Sequence, residues 1–350
     1  MVIKTKDLQY HLPPELIAQR PRQPRDAARL MILHRATGEI EHRTFRDLPE
    51  YLAPPDCLVL NRTCVLPAKF TARRLSGGRI GGLFVREQSP GQWRVLLNGA
   101  GRLDDGERLD LECSQWSMTF LRRGGRGECE VQITPPDPAA VVLDVIGAAP
   151  LPPYIRRSGD DSGEVNTFDL QDYQTVYAEV PGAIAAPTAG MHFTPELLHK
   201  IRLEVRASIA DVVLHVGLGT FQPVEVDNLA DHPMHSEWYS LSPECAAMLQ
   251  HARTDHGRLI AVGTTSVRVL ETCGKTGVLL PQSGWTDLLI YPPYTFRATD
   301  GLLTNYHLPG STLLALVCAL AGREAIMKAY QCAINEGYLF YSYGDAMLIL

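Results

Sequence analysis

The chain has 350 residues, 45% hydrophobic and 21% charged, with a formal net charge of −6. That balance excludes a disordered chain and is long enough for two domains. No apolar run reaches the roughly 18–20 residues of a membrane helix, the N-terminus lacks the apolar stretch of a secretory signal, and the eight cysteines form no CxxC pair. A cytoplasmic protein with reduced thiols and no metal site is therefore expected.

Charge is unevenly distributed. Residues 1–86 hold 15 Lys and Arg against 8 Asp and Glu, whereas the rest of the chain holds 18 against 31. A basic end on an acidic protein suits a phosphate-binding face, and equally suits solvated surface arginines.

In chain order, Pro13–Ala18 starts a short helix. Arg29–Leu33 and Glu39–Phe45 flank Ala36-Thr37-Gly38 as a hairpin, and Cys57–Leu60 is a buried strand. Six short runs follow: Ala68–Arg74, Gly82–Arg86, Trp93–Leu97, Glu107–Glu112, Ser117–Arg122 and Glu128–Ile133. Their spacing and Gly-rich turns predict a small antiparallel barrel. Beyond Pro153, a helix capped by Thr194 runs to about Val205. Strands are predicted at Ile209–Val216, Arg258–Val262 and Thr286–Tyr291, and helices at Ser266–Glu271, Ser311–Ala321 and Glu324–Asn335. The fold class expected is an α/β main domain with a largely parallel sheet (residues 1–61 and 151–350) and an inserted small antiparallel β-barrel domain (62–150).

Several turns could carry chemistry. Ala185–Thr194 brings small residues and His192 to a helix start, where free N–H groups suit an anion. Leu214–Phe221 places His215 before a GxG that lacks the third glycine of a dinucleotide fingerprint. His232–Tyr239 gathers His235, Glu237, Trp238 and Tyr239, without a third metal ligand at usable spacing. Gly263–Arg268 and Thr304–Thr312 are polar turns running into helices. Each alone reads as ordinary capping or core packing; together they describe one crevice.

Read in order, AAPTAGMHFT, HVGLGTF, MHSEWY, GTTSVR, TDLLIYP, LLTNYHLP and the ending YSYGDAMLI resemble the S-adenosylmethionine:tRNA ribosyltransferase-isomerase family of queuosine biosynthesis. PPELIAQRP and PRDAARL near the N-terminus fit too. The resemblance implies transfer and isomerisation of the ribosyl moiety of S-adenosylmethionine onto 7-aminomethyl-7-deazaguanine at the tRNA wobble position. The products are epoxyqueuosine-tRNA, adenine and methionine. It implies a tRNA with a GUN anticodon as partner, S-adenosylmethionine as co-substrate with no cofactor, and an α/β domain joined to a smaller barrel. A monomer is expected.

The sulfonium acidifies its 5′ C–H, so a base is needed; the methionine carboxylate needs a fork or a helix end. On residue chemistry, His192 and His215 are candidate proton-transfer groups, with Glu237 as base or sulfonium partner. Thr264, Thr265, Ser266 and Arg268 would hold an anionic part of the substrate. Thr188, Gly217, Gly219, Thr220, His235, Tyr239, Asn305 and His307 would line the crevice. Arg20, Arg22, Arg25, Lys69, Arg73 and Arg74 would form the tRNA face.

The sequence departs from the family pattern in four places. Asn61-Arg62-Thr63-Cys64-Val65 stands where the family reads Asn-Asp-Thr-Arg/Lys-Val. An acidic residue is absent near Gly81, a lysine is absent from Leu96–Arg102, and Gly310 replaces an arginine. The alternative is therefore a divergent RNA-binding paralogue with altered or lost activity, distinguished by adenine release. A methyltransferase is disfavoured because no Gly-rich loop follows the first strand with an acidic residue about 20 positions on.

Overall fold

The computed structural model describes residues 4–157, 163–217, 219 and 224–350, with backbone only for 126 and 163–167. A nine-stranded mixed sheet forms the larger body. Its strands are β1 (Arg29–His34), β2 (Glu39–Thr44), β3 (Cys57–Asn61), β12 (Ser208–Leu214), β13 (Glu237–Leu241), β14 (Leu259–Val262), β15 (Gln282–Thr286), β16 (Gly301–Asn305) and β17 (Ala346–Ile349). The remaining strands are β4 (Thr63–Val65), β5 (Lys69–Arg74), β6 (Arg79–Ser89), β7 (Gln92–Leu97), β8 (Arg108–Leu111), β9 (Ser117–Arg123), β10 (Glu128–Thr134) and β11 (Val180–Ala183).

The sheet order is β15-β13-β12-β3-β14-β16-β17-β1-β2. The central block β12-β3-β14-β16 is parallel, as is β17 with β1. Antiparallel ladders join β16 to β17 and close both edges. Alternation along each strand feeds two cores. In β1, Met31 and Leu33 enter one core with Val59 and Val212, while Leu30 and Ile32 enter the other with Leu58 and Leu60. Both faces are covered, so β3 reads as an unbroken apolar run. Helices α4 (Pro243–Thr254), α5 (Thr264–Cys273) and α6 (Thr312–Ala321) contribute apolar faces to the first core, with α7 (Arg323–Asn335) packed on α6.

The barrel closes in the order β10-β7-β6-β5-β8-β9. All six runs expected from the alternating pattern are present. Phe70, Phe84, Trp93 and Phe120 fill its interior, and the helix α1 (Ala139–Ile146) packs against β5. The 3-residue β4 precedes the barrel and pairs with β11 in a separate two-stranded sheet.

The helix capped by Thr194 reaches Val205 as expected, as α3 (Pro195–Lys200) followed by a π turn over Ile201–Val205. One local expectation changes. The strand expected at Thr286–Tyr291 instead ends at Thr286. The carbonyls of Thr286 and Leu288 are drawn onto the Arg268 guanidinium, each at 3.1 Å, so the segment leaves the ladder there.

Candidate active site

The parallel strands β3, β12, β14 and β16 bring their carboxyl ends to one edge, the usual ligand side of such a sheet. Asn61–Thr63, His215–Gly217, Gly263–Thr265 and Asn305–His307 meet there. Asn61 binds these ends together. Its side-chain carbonyl accepts from Leu214 N at 3.1 Å and Thr63 N at 3.2 Å, and its amide donates to Leu214 O at 3.0 Å and Thr265 Oγ1 at 3.2 Å. Ile184 N donates to Val216 O at 2.8 Å, so the segment leading to Thr188 lies along the same edge. Gly263 starts α5 with φ of 84°, a left-handed conformation that favours glycine.

Two cavities open along this edge. One, of about 60 Å³, is lined by Thr188, Thr264, Thr265, Asn305 and His307. The other, of about 650 Å³, is a cleft between a barrel wall containing Phe84, Arg86 and Arg94 and a sheet wall containing His215, Glu237 and Trp238.

His215 sits on the cleft's sheet wall. Its Nδ1 shares a 2.8 Å hydrogen bond with Thr63 Oγ1, and its ring stacks on Trp238 at 5.1 Å. Gly182 allows the ring this place: a Cβ there would lie 2.6 Å from the imidazole. Burial holds the His215 pKa below its ordinary value, favouring the neutral, base-competent ring.

Glu237 is buried beside the same cleft. Its Oε1 accepts from Gly217 N at 2.7 Å, and its Oε2 pairs with Arg268. Arg268 also donates to the carbonyls of Thr286 and Leu288, so its guanidinium is taken up by the protein. This corrects its expected role as a substrate fork. Ser266 is likewise corrected: it is fully buried and donates to Val262 O at 2.9 Å, facing the core. Tyr239, expected to line the crevice, is buried in the first core on the same face of β13 as Glu237, and its hydroxyl donates to Gln282 at 3.1 Å. Gly219 packs against the His235 ring, which lines the cleft; Thr220 lies outside the described residues.

The small cavity is pre-organised. Thr188 Oγ1 donates to Asn305 Oδ1 at 2.9 Å, and Asn305 Nδ2 donates to His192 Nε2 at 3.2 Å. His192 therefore stands behind Asn305, packed on Phe45 at 4.9 Å. Burial lowers its pKa to about 4. His307 shares a 2.8 Å hydrogen bond with Thr304, and burial lowers its pKa to about 3. Both rings are neutral at pH 7.

The arginines expected on the tRNA face divide. Arg20 is exposed, and so are Lys69 and Arg73, the latter bonded to Glu112 at 2.8 Å. Arg22 pairs with the buried Asp345 at 3.1 Å. Arg25 is a correction: it donates to Gln174 O at 2.5 Å and to Gln171 O at 3.1 Å, capping the chain just beyond the helix α2 (Gly163–Asp172). Arg74 is another, held bidentately by Glu107 at 2.6 and 2.9 Å.

The departures at the domain junction are locally matched. Arg62 pairs with Glu179 at 3.0 Å, and Cys64 accepts from Gln174 Nε2 at 3.3 Å. Gly81 faces Asn98, and Gly310 adopts φ of 65°, where a side chain would also meet Gln9. Sequence reasoning passed over Asn61 and Thr63 as site residues. Their signal was a polar pair directly after a buried strand. Arg86 and Trp285 of the cleft carried no local signal. Among the described residues, no group of three or more His, Cys, Asp or Glu gathers in metal-binding geometry, and no helix is long and apolar enough to cross a membrane.

Comparison with known proteins extends along the whole chain. The crystal structure of the S-adenosylmethionine tRNA ribosyltransferase from Thermotoga maritima aligns with a TM-score of 0.56 at 38% identity, over 98% of this chain and 100% of that one. Proteins named S-adenosylmethionine:tRNA ribosyltransferase-isomerase are 47% identical in Desulforamulus reducens and 46% identical in Moorella thermoacetica. Each match covers 99% of this chain and 100% of the relative. The family described as queuosine biosynthesis protein matches residues 5–349, and the chain belongs to that family.

Proposed function

We propose that this enzyme transfers and isomerises the ribosyl moiety of S-adenosylmethionine onto 7-aminomethyl-7-deazaguanine at the wobble position of a GUN-anticodon tRNA, releasing adenine and methionine. The observation that carries this reading is His215: a neutral, oriented base on the wall of a 650 Å³ cleft shared by sheet and barrel. That volume is in the range of small-molecule sites and suits an extruded nucleotide beside a co-substrate.

His215 takes the proton that the sulfonium makes acidic, with Thr63 fixing its ring. Glu237 and Arg268 act as positioning residues, because their pair holds Gly217 at the cleft. The ring of Trp238 offers a face to the sulfonium. Asn305, with Thr188 and the neutral His192 behind it, presents hydrogen-bonding groups at the small cavity, and Thr264 and Thr265 at the start of α5 suit the methionine carboxylate. Residues 62–150 act as the insert that helps hold the tRNA, with Lys69 and Arg73 among its phosphate contacts, and Arg20 of the main body adds another. The enzyme works in the cytoplasm as a monomer, without a metal or resident cofactor.

The test mixes protein, S-adenosylmethionine and tRNA carrying 7-aminomethyl-7-deazaguanine. Adenine and methionine in equal amounts support the proposal. S-adenosylhomocysteine with methylated RNA would point to a methyltransferase, and absence of product to the altered RNA-binding relative.

A further inference from the structure

Three aromatic side chains stand side by side across the end of the sheet. Main-chain pairing sets His215 beside Trp238, since His215 N donates to Trp238 O at 2.9 Å, and Trp238 is the register partner of Trp285. All three line the cleft. The row runs from the half-buried His215 outward to Trp285, which is 61% exposed on the edge strand β15. A tryptophan this exposed, at a cavity mouth, has an apolar face that the fold itself does not cover.

The facing barrel wall supplies charge. Arg94 is engaged by Glu128 at 3.1 Å and Glu130 at 3.2 Å. Arg86, by contrast, is exposed, and its side chain makes no hydrogen bond or ion pair among the described residues. An exposed aromatic face beyond the stacked His215–Trp238 pair, opposite an uncommitted guanidinium, is what single-stranded nucleic acid requires: bases stack on rings and a phosphate meets the cation.

We infer that this row is the track along which the anticodon loop enters the cleft, with Trp285 stacking on the base next to the wobble nucleotide and Arg86 holding a phosphate beside it. The inference rests on the tRNA reading above and deepens it. It gives the RNA a second contact region, separate from the basic N-terminal face.

The test measures binding of a synthetic anticodon stem-loop RNA, by tryptophan fluorescence and by filter retention over a salt series. Trp285→Ala is expected to weaken binding about tenfold or more, with Trp285→Phe retaining most affinity. The salt slope stays the same in Trp285→Ala, and Arg86→Ala lowers its magnitude by about 0.7–0.9. Fluorescence quenching by RNA should shrink in Trp285→Phe. Leu203→Ala, which removes an apolar side chain equally exposed but outside the cleft, serves as the control and should bind as wild type. Wild-type affinity in Trp285→Ala, with adenine still released by the parent protein, overturns the track and leaves the enzymatic reading standing. Binding that depends on Trp285 in a protein that releases no adenine supports the track and removes the enzymatic reading. Failure of the parent protein to bind the stem-loop overturns the track, and adenine release alone then decides the enzymatic reading.

Discussion

The two cavities share one sheet edge and differ in how much of their polar surface is already engaged. At the small cavity of about 60 Å³, Asn305 is hydrogen-bonded to Thr188 and to His192 behind it, and Thr304 is hydrogen-bonded to His307. In the 650 Å³ cleft, one wall is equally fixed by Thr63, His215 and the Glu237–Arg268 pair, while the barrel wall offers an uncommitted Arg86. The contrast teaches that rigidity here comes from the sheet. Its strand ends hold groups to the geometry that chemistry requires. The barrel side keeps charge available for a large, variable partner.

The largest effect expected from breaking this arrangement is at His215. His215→Ala should reduce kcat by about 10²–10⁴-fold with a smaller change in the KM for S-adenosylmethionine. In the parent enzyme, kcat/KM should fall as pH drops through a value below the ordinary histidine pKa, because burial lowers the His215 pKa and the neutral ring is the active form. A pH profile of both proteins checks this, and an unchanged kcat in His215→Ala removes it from the mechanism.

Next comes the buried pair. Arg268→Ala leaves Glu237 buried without its cation and should cost about 3–5 kcal/mol in denaturant unfolding. Glu237→Gln keeps the shape and an acceptor for Gly217, so it should be milder. Equal losses in the two variants would place the stabilisation in the Arg268–Glu237 pair itself, not in the bonds to the Thr286 and Leu288 carbonyls.

The small cavity predicts an acid sensitivity. His192 and His307 have folded-state pKa values lowered from 6.5 to about 4 and about 3. Below pH 6.5 the unfolded chain binds protons that the folded protein refuses, so stability falls as pH drops toward those values. The full loss, on the order of 3 kcal/mol for His192 alone, is reached only below pH 4, and about 2 kcal/mol of it appears by pH 5. Unfolding curves at pH 7, 6 and 5 read it, and a His192→Asn, His307→Gln double variant should show a shallower decline.

The smallest effects belong to the surface. Arg20→Ala should reduce the salt dependence of tRNA binding by about one phosphate contact. Arg74→Ala should leave that dependence unchanged, because Glu107 already holds its guanidinium. Similar changes in both variants would erase the distinction between engaged and available arginines.

Much of this was legible in the chain because periodicity is local. The six alternating runs between Lys69 and Thr134 needed only a period of two and Gly-rich turns to announce a barrel. The CLVL run and the turns after β12, β14 and β16 marked the carboxyl edge. The errors have a common cause. By residue type Arg25, Arg74 and Arg268 look available, yet each is held by an acceptor between 18 and 149 positions away. Ser266 and Tyr239 were read by their motifs, although helix phase and strand alternation turn them into the core.

By itself, the sequence determined the element types, the barrel and the edge where polar turns collect, since these follow from hydrophobic pattern and turn chemistry between near neighbours. Tertiary structure alone decided which of those polar groups remain available. Hydrogen-bond capacity is finite, and whether a guanidinium meets a ligand or a carbonyl depends on partners that only the folded chain brings together.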